Sequence, residues 1–182
     1  MAMNFAGLVL RLFGWKVNIT VPDVPKCIIC VAPHTSNWDF ILGELAYLSV
    51  GRTAAFLMKS SWFFWPLGPM LRGIGGIPVE SHGKRSSVTQ TVCEKFGEPR
   101  RLHLAITPEG TRSRQPNWHT GFLRIANATG VPVFLAVLDF GNKEVRINDE
   151  FIPTGDIERD LRSVKDFYKG AVDKFPEKFT TE

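Results

Sequence analysis

The sequence predicts a single α/β domain with a largely parallel or mixed central sheet covered by helices. Two observations carry this: short apolar runs alternate with segments whose apolar residues recur at helical spacing, and no repeat, low-complexity tract or linker interrupts the alternation. Residues 1–182 are therefore read as one domain, long enough to bury roughly 70% of the surface its unfolded chain exposes. Strands separated by helices favour parallel neighbours, because a parallel pair needs a crossover connection.

Residues 27–32 (Cys-Ile-Ile-Cys-Val-Ala) form an unbroken apolar run, read as a buried strand that ends at Pro33. Ser36 or Asn37 can cap a helix carrying Phe40, Leu42, Leu45 and Leu48, which leaves His34 in the strand-to-helix turn. Strands follow at 54–58 and 76–80, and Pro78 marks the second as an edge or a bend. Ser87-Val88-Thr89-Gln90 has the spacing of a capping box and opens a helix with Val88, Val92, Cys93 and Phe96 on one side. The strand 102–107 runs into Pro108-Glu109-Gly110-Thr111-Arg112-Ser113, after which Phe122, Leu123, Ile125 and Ala126 predict a helix closed by Gly130. Residues 131–139 form another apolar strand and 145–151 can pair beside it. Ile157, Leu161, Val164, Tyr168, Val172 and Phe175 then trace one face of a terminal helix.

With 44% hydrophobic and 22% charged residues, composition excludes disorder and fibrous repeats. Lys and Arg outnumber Asp and Glu by 22 to 18, but the basic residues are dispersed and no nucleic-acid-binding module appears, so no nucleic-acid partner is expected. Three cysteines do not make a disulfide framework. Cys27 and Cys30 form a C-x-x-C, yet residues three apart on a strand point to opposite faces, so core packing is expected rather than a zinc or redox pair. A metal hydrolase built on His34 and Asp39 would lack an evident third ligand, and no metal is expected. No apolar run reaches the ~20 residues of a membrane span. No basic residue precedes the first apolar stretch as in a secretory signal, so a cytoplasmic location is expected.

Two segments carry chemistry. His34 and Asp39 would not share one face of a regular helix. Across a strand-to-helix turn, however, an aspartate in the first helical turn can accept a hydrogen bond from the imidazole, which leaves the other ring nitrogen to take a proton. The same residues equally suit a satisfied loop histidine and an acidic residue favoured by the helix dipole. In the second segment Gly110 permits close backbone approach, Arg112 offers a planar fork suited to phosphate, and Thr111 and Ser113 add hydroxyls. A polar surface turn with a Glu109–Arg112 ion pair fits that stretch as well.

In order and separation, His34-Thr35-Ser36-Asn37-Trp38-Asp39 and Pro108-Glu109-Gly110-Thr111-Arg112-Ser113 resemble the first and third signature blocks of the glycerolipid acyltransferases, typified by lysophosphatidate acyltransferase. Between them, Arg72-Gly73-Ile74-Gly75-Gly76-Ile77-Pro78-Val79-Glu80 is similar to the second block, and Gly130-Val131-Pro132-Val133 to the fourth, so the likeness spans roughly residues 31–139. The resemblance implies an enzyme whose base is His34, oriented by Asp39, and in which a lipid hydroxyl attacks an acyl thioester directly. No cofactor is implied beyond the donor, acyl-CoA or acyl carrier protein. The implied acceptor is a lysophospholipid, 1-acylglycerol-3-phosphate first. Its site would contain Glu109, Gly110, Thr111, Arg112 and Ser113, with Gly76 and Pro78 from the second block and Arg112 on the phosphate.

Two departures bear on the acceptor. The second block commonly ends in an acidic residue followed by arginine, whereas Glu80 is followed by Ser81, and relatives often carry lysine where His119 stands. Lys84 or Arg85 could restore the charge. Otherwise the headgroup differs, as in an aminolipid; a non-catalytic lipid-binding module of the same fold is the remaining alternative. Phe5, Leu8, Val9, Leu12, Phe13 and Trp15, with Arg11 and Lys16, make residues 1–16 a candidate membrane-interface segment. Trp62, Phe63, Phe64 and Trp65 suit a membrane interface, an acyl-chain pocket or a core cluster. With a lipid substrate, these imply peripheral attachment to the inner face of the cell membrane.

Overall fold

The structure, a computed structural model, describes residues 4–79 and 85–182. Helix α1 (Phe5–Leu12) is capped by Asn4, whose side chain accepts from the Gly7 N–H; it buries Ala6 and Leu10. The chain continues through β1 (Lys16–Ile19), β2 (Lys26–Ala32), α2 (Asn37–Ser49) and β3 (Ala55–Lys59). A 3-10 turn at Ser60–Trp62 leads to α3 (Leu67–Gly73) and β4 (Gly76–Val79). The remaining elements are α4 (Arg85–Gly97), β5 (Leu102–Ile106), α5 (Gly121–Thr129), β6 (Val133–Asp139), β7 (Glu144–Phe151) and α6 (Ile157–Phe167).

Among the described residues seven strands form one sheet in the order β1-β7-β6-β2-β5-β3-β4. Of these, β6 and β7 pair antiparallel and the other neighbouring pairs are parallel. The expected α/β fold with a mixed, mostly parallel sheet is therefore the observed one. Period-two alternation divides the core: Ile28, Cys30 and Ala32 of β2 face α4, α5 and α6, while Cys27 and Ile29 face the side covered by α2. Burial pushes both thiols up to about 12, so Cys27 and Cys30 stay protonated and pack as small apolar residues. His103, a polar interruption on the α2 face, is satisfied by the Tyr47 hydroxyl and by the Val24 carbonyl, to which its Nε2–H donates at 2.6 Å.

Two elements go beyond those expected, and two expectations need correction. Strand β1 was not foreseen; it is short and exists through parallel pairing with β7, a partner far along the chain. The aromatic stretch after β3 contains helix α3, which has two glycines and a proline in seven residues and draws on packing rather than propensity. Ser87 does not cap α4, which begins at Arg85. Finally, Val172 and Phe175 do not continue the terminal helix. It ends at Phe167, Gly170 takes φ +85°, and the Phe140 N–H then donates to the Val172 carbonyl at 2.8 Å. Pro78 does lie on an edge strand, β4, and Gly130 does close α5 in the left-handed conformation.

The fully buried Tyr168, just after α6, donates its hydroxyl to the Cys30 carbonyl at 2.6 Å, tying the C-terminal segment to β2. Removing that donor leaves the carbonyl one partner short in a dry site. Tyr168→Phe is expected to lower the unfolding free energy by about 1–3 kcal/mol in a urea titration; an unchanged midpoint would show that the bond contributes nothing.

Candidate active site

Strands β2 and β5 are parallel neighbours, with Cys30 opposite Ile106. The loops leaving their C-terminal ends therefore emerge side by side, the edge at which open parallel sheets bind ligands. The first loop carries His34 into α2 and the second runs through residues 107–113. Ser36 is the N-cap of α2 and Asp39 its third residue. Asp39 Oδ2 accepts from the Thr35 N–H at 2.8 Å and the Ser36 N–H at 2.7 Å, and Oδ1 accepts from the Ser36 hydroxyl at 2.8 Å. His34 Nδ1 lies 3.3 Å from Asp39 Oδ2, with the carboxylate fully buried and the ring 18% exposed. Burial pushes Asp39 up, but the His34 bond and those from Ser36 outweigh it, and its carboxyl stays below the ordinary range.

The exposed side of this pair opens on a cavity of about 420 Å³ lined by His34, Thr107, Gly110, Thr111, Arg112 and Ser113. Two segments far apart in sequence thus meet there. Arg112 donates to the Asn37 side-chain oxygen, so it turns to the His34 segment rather than to Glu109. Gly110 takes φ +65°, and a Cβ there would come within 2.4 Å of the His119 ring; glycine is required both by its conformation and by this close approach. The loop is closed by the His119 N–H, which donates to the Pro108 carbonyl at 2.6 Å. Glu109 is buried and does not line the cavity; its Oε2 has no hydrogen-bond partner.

Other expected site residues lie elsewhere. Gly76 and Pro78 sit on β4, opposite Phe56 and Met58, and do not line the cavity. A Cβ on Gly76 would meet the Leu71 carbonyl at 2.8 Å, so that glycine serves packing. Ser81 and Lys84 lie outside the described residues, as does the Arg85 side chain. Nothing in residue order marked Asp173, which is buried in the segment after α6, in electrostatic reach of Asp39, His34 and Glu109. Beside it, Lys174 Nζ stands 5.0 Å from the centre of the Trp38 ring. Among the described residues no group of three or more His, Cys, Asp or Glu is disposed to hold a metal ion.

A profile of the family described as Acyltransferase matches residues 17–138, well over half of the chain. The chain belongs to the Acyltransferase family. Its fold is shared with the crystal structure of the 1-acyl-sn-glycerophosphate (LPA) acyltransferase PlsC from Thermotoga maritima. That likeness has a TM-score of 0.57 and 18% identity, and covers 97% of this chain and 78% of that one. No curated protein matches the chain.

In this acyltransferase two carboxyls beside the His34 turn, Asp39 and Glu109, are driven apart. Burial first, then the negative charges of Asp173 and Asp39, push Glu109 up to about 8, against the pull of the His34 N–H. Near neutrality Asp39 is ionised while Glu109 holds a proton, the pattern by which neighbouring carboxyls take different roles. Because its pKa is raised in the folded state, the folded chain binds more protons than the unfolded one between about 4.5 and 8, and this group's contribution to stability falls as pH rises through that window. Glu109→Gln removes the slope. The variant is expected to gain on the parent by roughly 1 kcal/mol per pH unit across the window. Urea unfolding at about pH 6 and about pH 9 checks this; equal differences at both would contradict it.

Proposed function

We propose that this acyltransferase moves a fatty acyl group from an acyl thioester, acyl-CoA or acyl carrier protein, to a hydroxyl of a lysophospholipid, with 1-acylglycerol-3-phosphate the leading acceptor. The observation that carries the reading is the His34–Asp39 contact beside a cavity lined by both His34 and Gly110 to Ser113. With Nδ1 turned to the carboxylate, Nε2 is the nitrogen that takes the acceptor's hydroxyl proton. The oxygen attacks the thioester carbonyl, and the tetrahedral intermediate collapses as the C–S bond breaks. The departing thiolate takes up that proton from the imidazolium, giving an ester and a free thiol. Asp39 stabilises the imidazolium in between, and Arg112 is suited to hold the acceptor's phosphate. The chemistry calls for no cofactor beyond the donor.

His34→Ala is expected to lower transfer at least ~1,000-fold while leaving the unfolding midpoint within a few degrees; a folded variant with the parent's rate would refute the base. For Arg112→Ala the acceptor KM should rise about tenfold with kcat little changed. His119 lies against Gly110 where the family resemblance implies lysine, which favours, as a second reading, an acceptor with less anionic charge, such as an aminolipid. A panel of lysolipids offered with both thioester donors, with products read by mass spectrometry, separates the two.

We also infer peripheral attachment to the inner face of the cell membrane. Among the described residues no helix is long and apolar enough to cross a membrane. Phe5, Leu12 and Phe13 are more than 70% exposed on and just after α1, which packs beside α2 with its exposed Ile41 and Leu48. Trp62, Phe64 and Trp65 are exposed as well. Deleting residues 1–16 would uncover the core, since Leu10 is buried. The cleaner variant replaces Phe5, Leu12 and Phe13 with serine. It should lose co-sedimentation with anionic phospholipid vesicles, and equal sedimentation would remove the anchor.

A further inference from the structure

One buried ionisable group next to the dyad has no role in the reaction as written. Asp173 is 3% exposed, its Oδ1 accepts from the Lys174 N–H at 2.5 Å and its Oδ2 lacks a well-formed hydrogen bond; Thr35, at the start of the His34 turn, is equally buried and turns its hydroxyl to the Asp173 carboxyl. The segment that carries Asp173 is fixed against that turn. Phe140 holds it through Val172, and Lys174 lies over the ring of Trp38. Burial first, and then the charge of Asp39, push the Asp173 carboxyl up, while the Lys174 N–H, the nearby Thr35 hydroxyl and the charge of His34 draw it down. Such a carboxyl costs stability in the resting fold.

A group that is unfavourable at rest yet attracted to His34 becomes favourable once the imidazole gains a proton. Beside Asp173 is the Thr35 hydroxyl of the turn; in electrostatic reach of it are His34, Asp39 of α2 and Glu109 of the β5 loop, with Lys174 adjacent in its own segment. His34 is the member whose positive charge appears during the reaction. We propose that Asp173 is a positioning residue of the acyl-transfer site, a second carboxylate that acts through His34 by stabilising the imidazolium formed when the acceptor hydroxyl gives up its proton. The segment after α6 is thereby part of the active site. This inference rests on the acyl-transfer reading of the same site.

Asp173→Asn keeps the shape and removes the charge. Its kcat is expected to fall about tenfold, with KM for donor and acceptor within about twofold of the parent. The acid limb of the kcat/KM profile should move to lower pH, because the protonated ring is less favoured without the second carboxylate. Tm should be equal to or above the parent's, since a buried charge facing Asp39 is gone. A residue that serves packing alone would lose Tm and activity together, and that result overturns the proposal, as does a variant with the parent's kcat. Asp173→Ala carries the same test should the amide fail to fold. A parent chain that transfers no acyl group from either donor to any lysolipid would sink the proposed function and this inference with it. An active parent matched by an equally active Asp173→Asn sinks the inference alone.

Discussion

Strand β2 is the constraint on which the site depends. It is bonded in parallel to β6 on one edge and to β5 on the other, and both its faces are covered by helices. A strand in that place has almost no position open to water, which is why the run from Cys27 to Ala32 is apolar throughout instead of alternating. Parallel pairing also fixes where the chain goes next. A parallel partner is reached only by a crossover, so β2 and β5 release their connections at the same edge of the sheet. His34 and Gly110 thus meet through a hydrogen-bond ladder whose own residues take no part in the chemistry.

At that edge one carboxylate does two jobs. The bonds from Thr35 and Ser36 that make Asp39 part of the helix cap also hold it against His34 Nδ1. Cap formation and ring orientation are therefore one event, and substituting Asp39 would remove a cap of about 0.5–2 kcal/mol together with the support of the His34 ring. Glu109, equally buried but without such a set of N–H donors, takes up a proton instead. The difference between the two carboxyls lies in donors, not in depth.

The legible parts of the sequence were those governed by local pattern. β2, β5 and β6 were readable as apolar runs, α2 and α5 by their caps, and the edge position of β4 by Pro78. What stayed hidden depends on distant partners. β1 is four residues long and gains its strand conformation from β7, and the chain after Gly170 follows a path set by contacts with Phe140 and Trp38. Val172 and Phe175 fall on the helical period of α6, so periodicity alone extended that helix through a turn that only tertiary contacts explain. For the same reason Asp173 reads as an ordinary surface charge between Val172 and Lys174. At the site, His34 and Asp39 gained meaning from motif order, whereas the burial of Glu109 follows from the return of the chain at His119, which no spacing rule predicts.

The Arg112–Asn37 bond bears on how the His34 imidazole and the Arg112 guanidinium are kept in register. A guanidinium has five N–H donors in one plane. The bond to Asn37 occupies one part of that fork and leaves donors for a bidentate partner, so it orients the group without consuming it. Asn37 is the first residue of α2, two positions before Asp39, and is therefore carried by the turn that also carries His34. Rotation or fraying of that first helical turn would displace the imidazole and the guanidinium together. Placement of one relative to the other is thus a property of a single capped helix end, and the loop after β5 needs only to deliver Arg112 within reach of it.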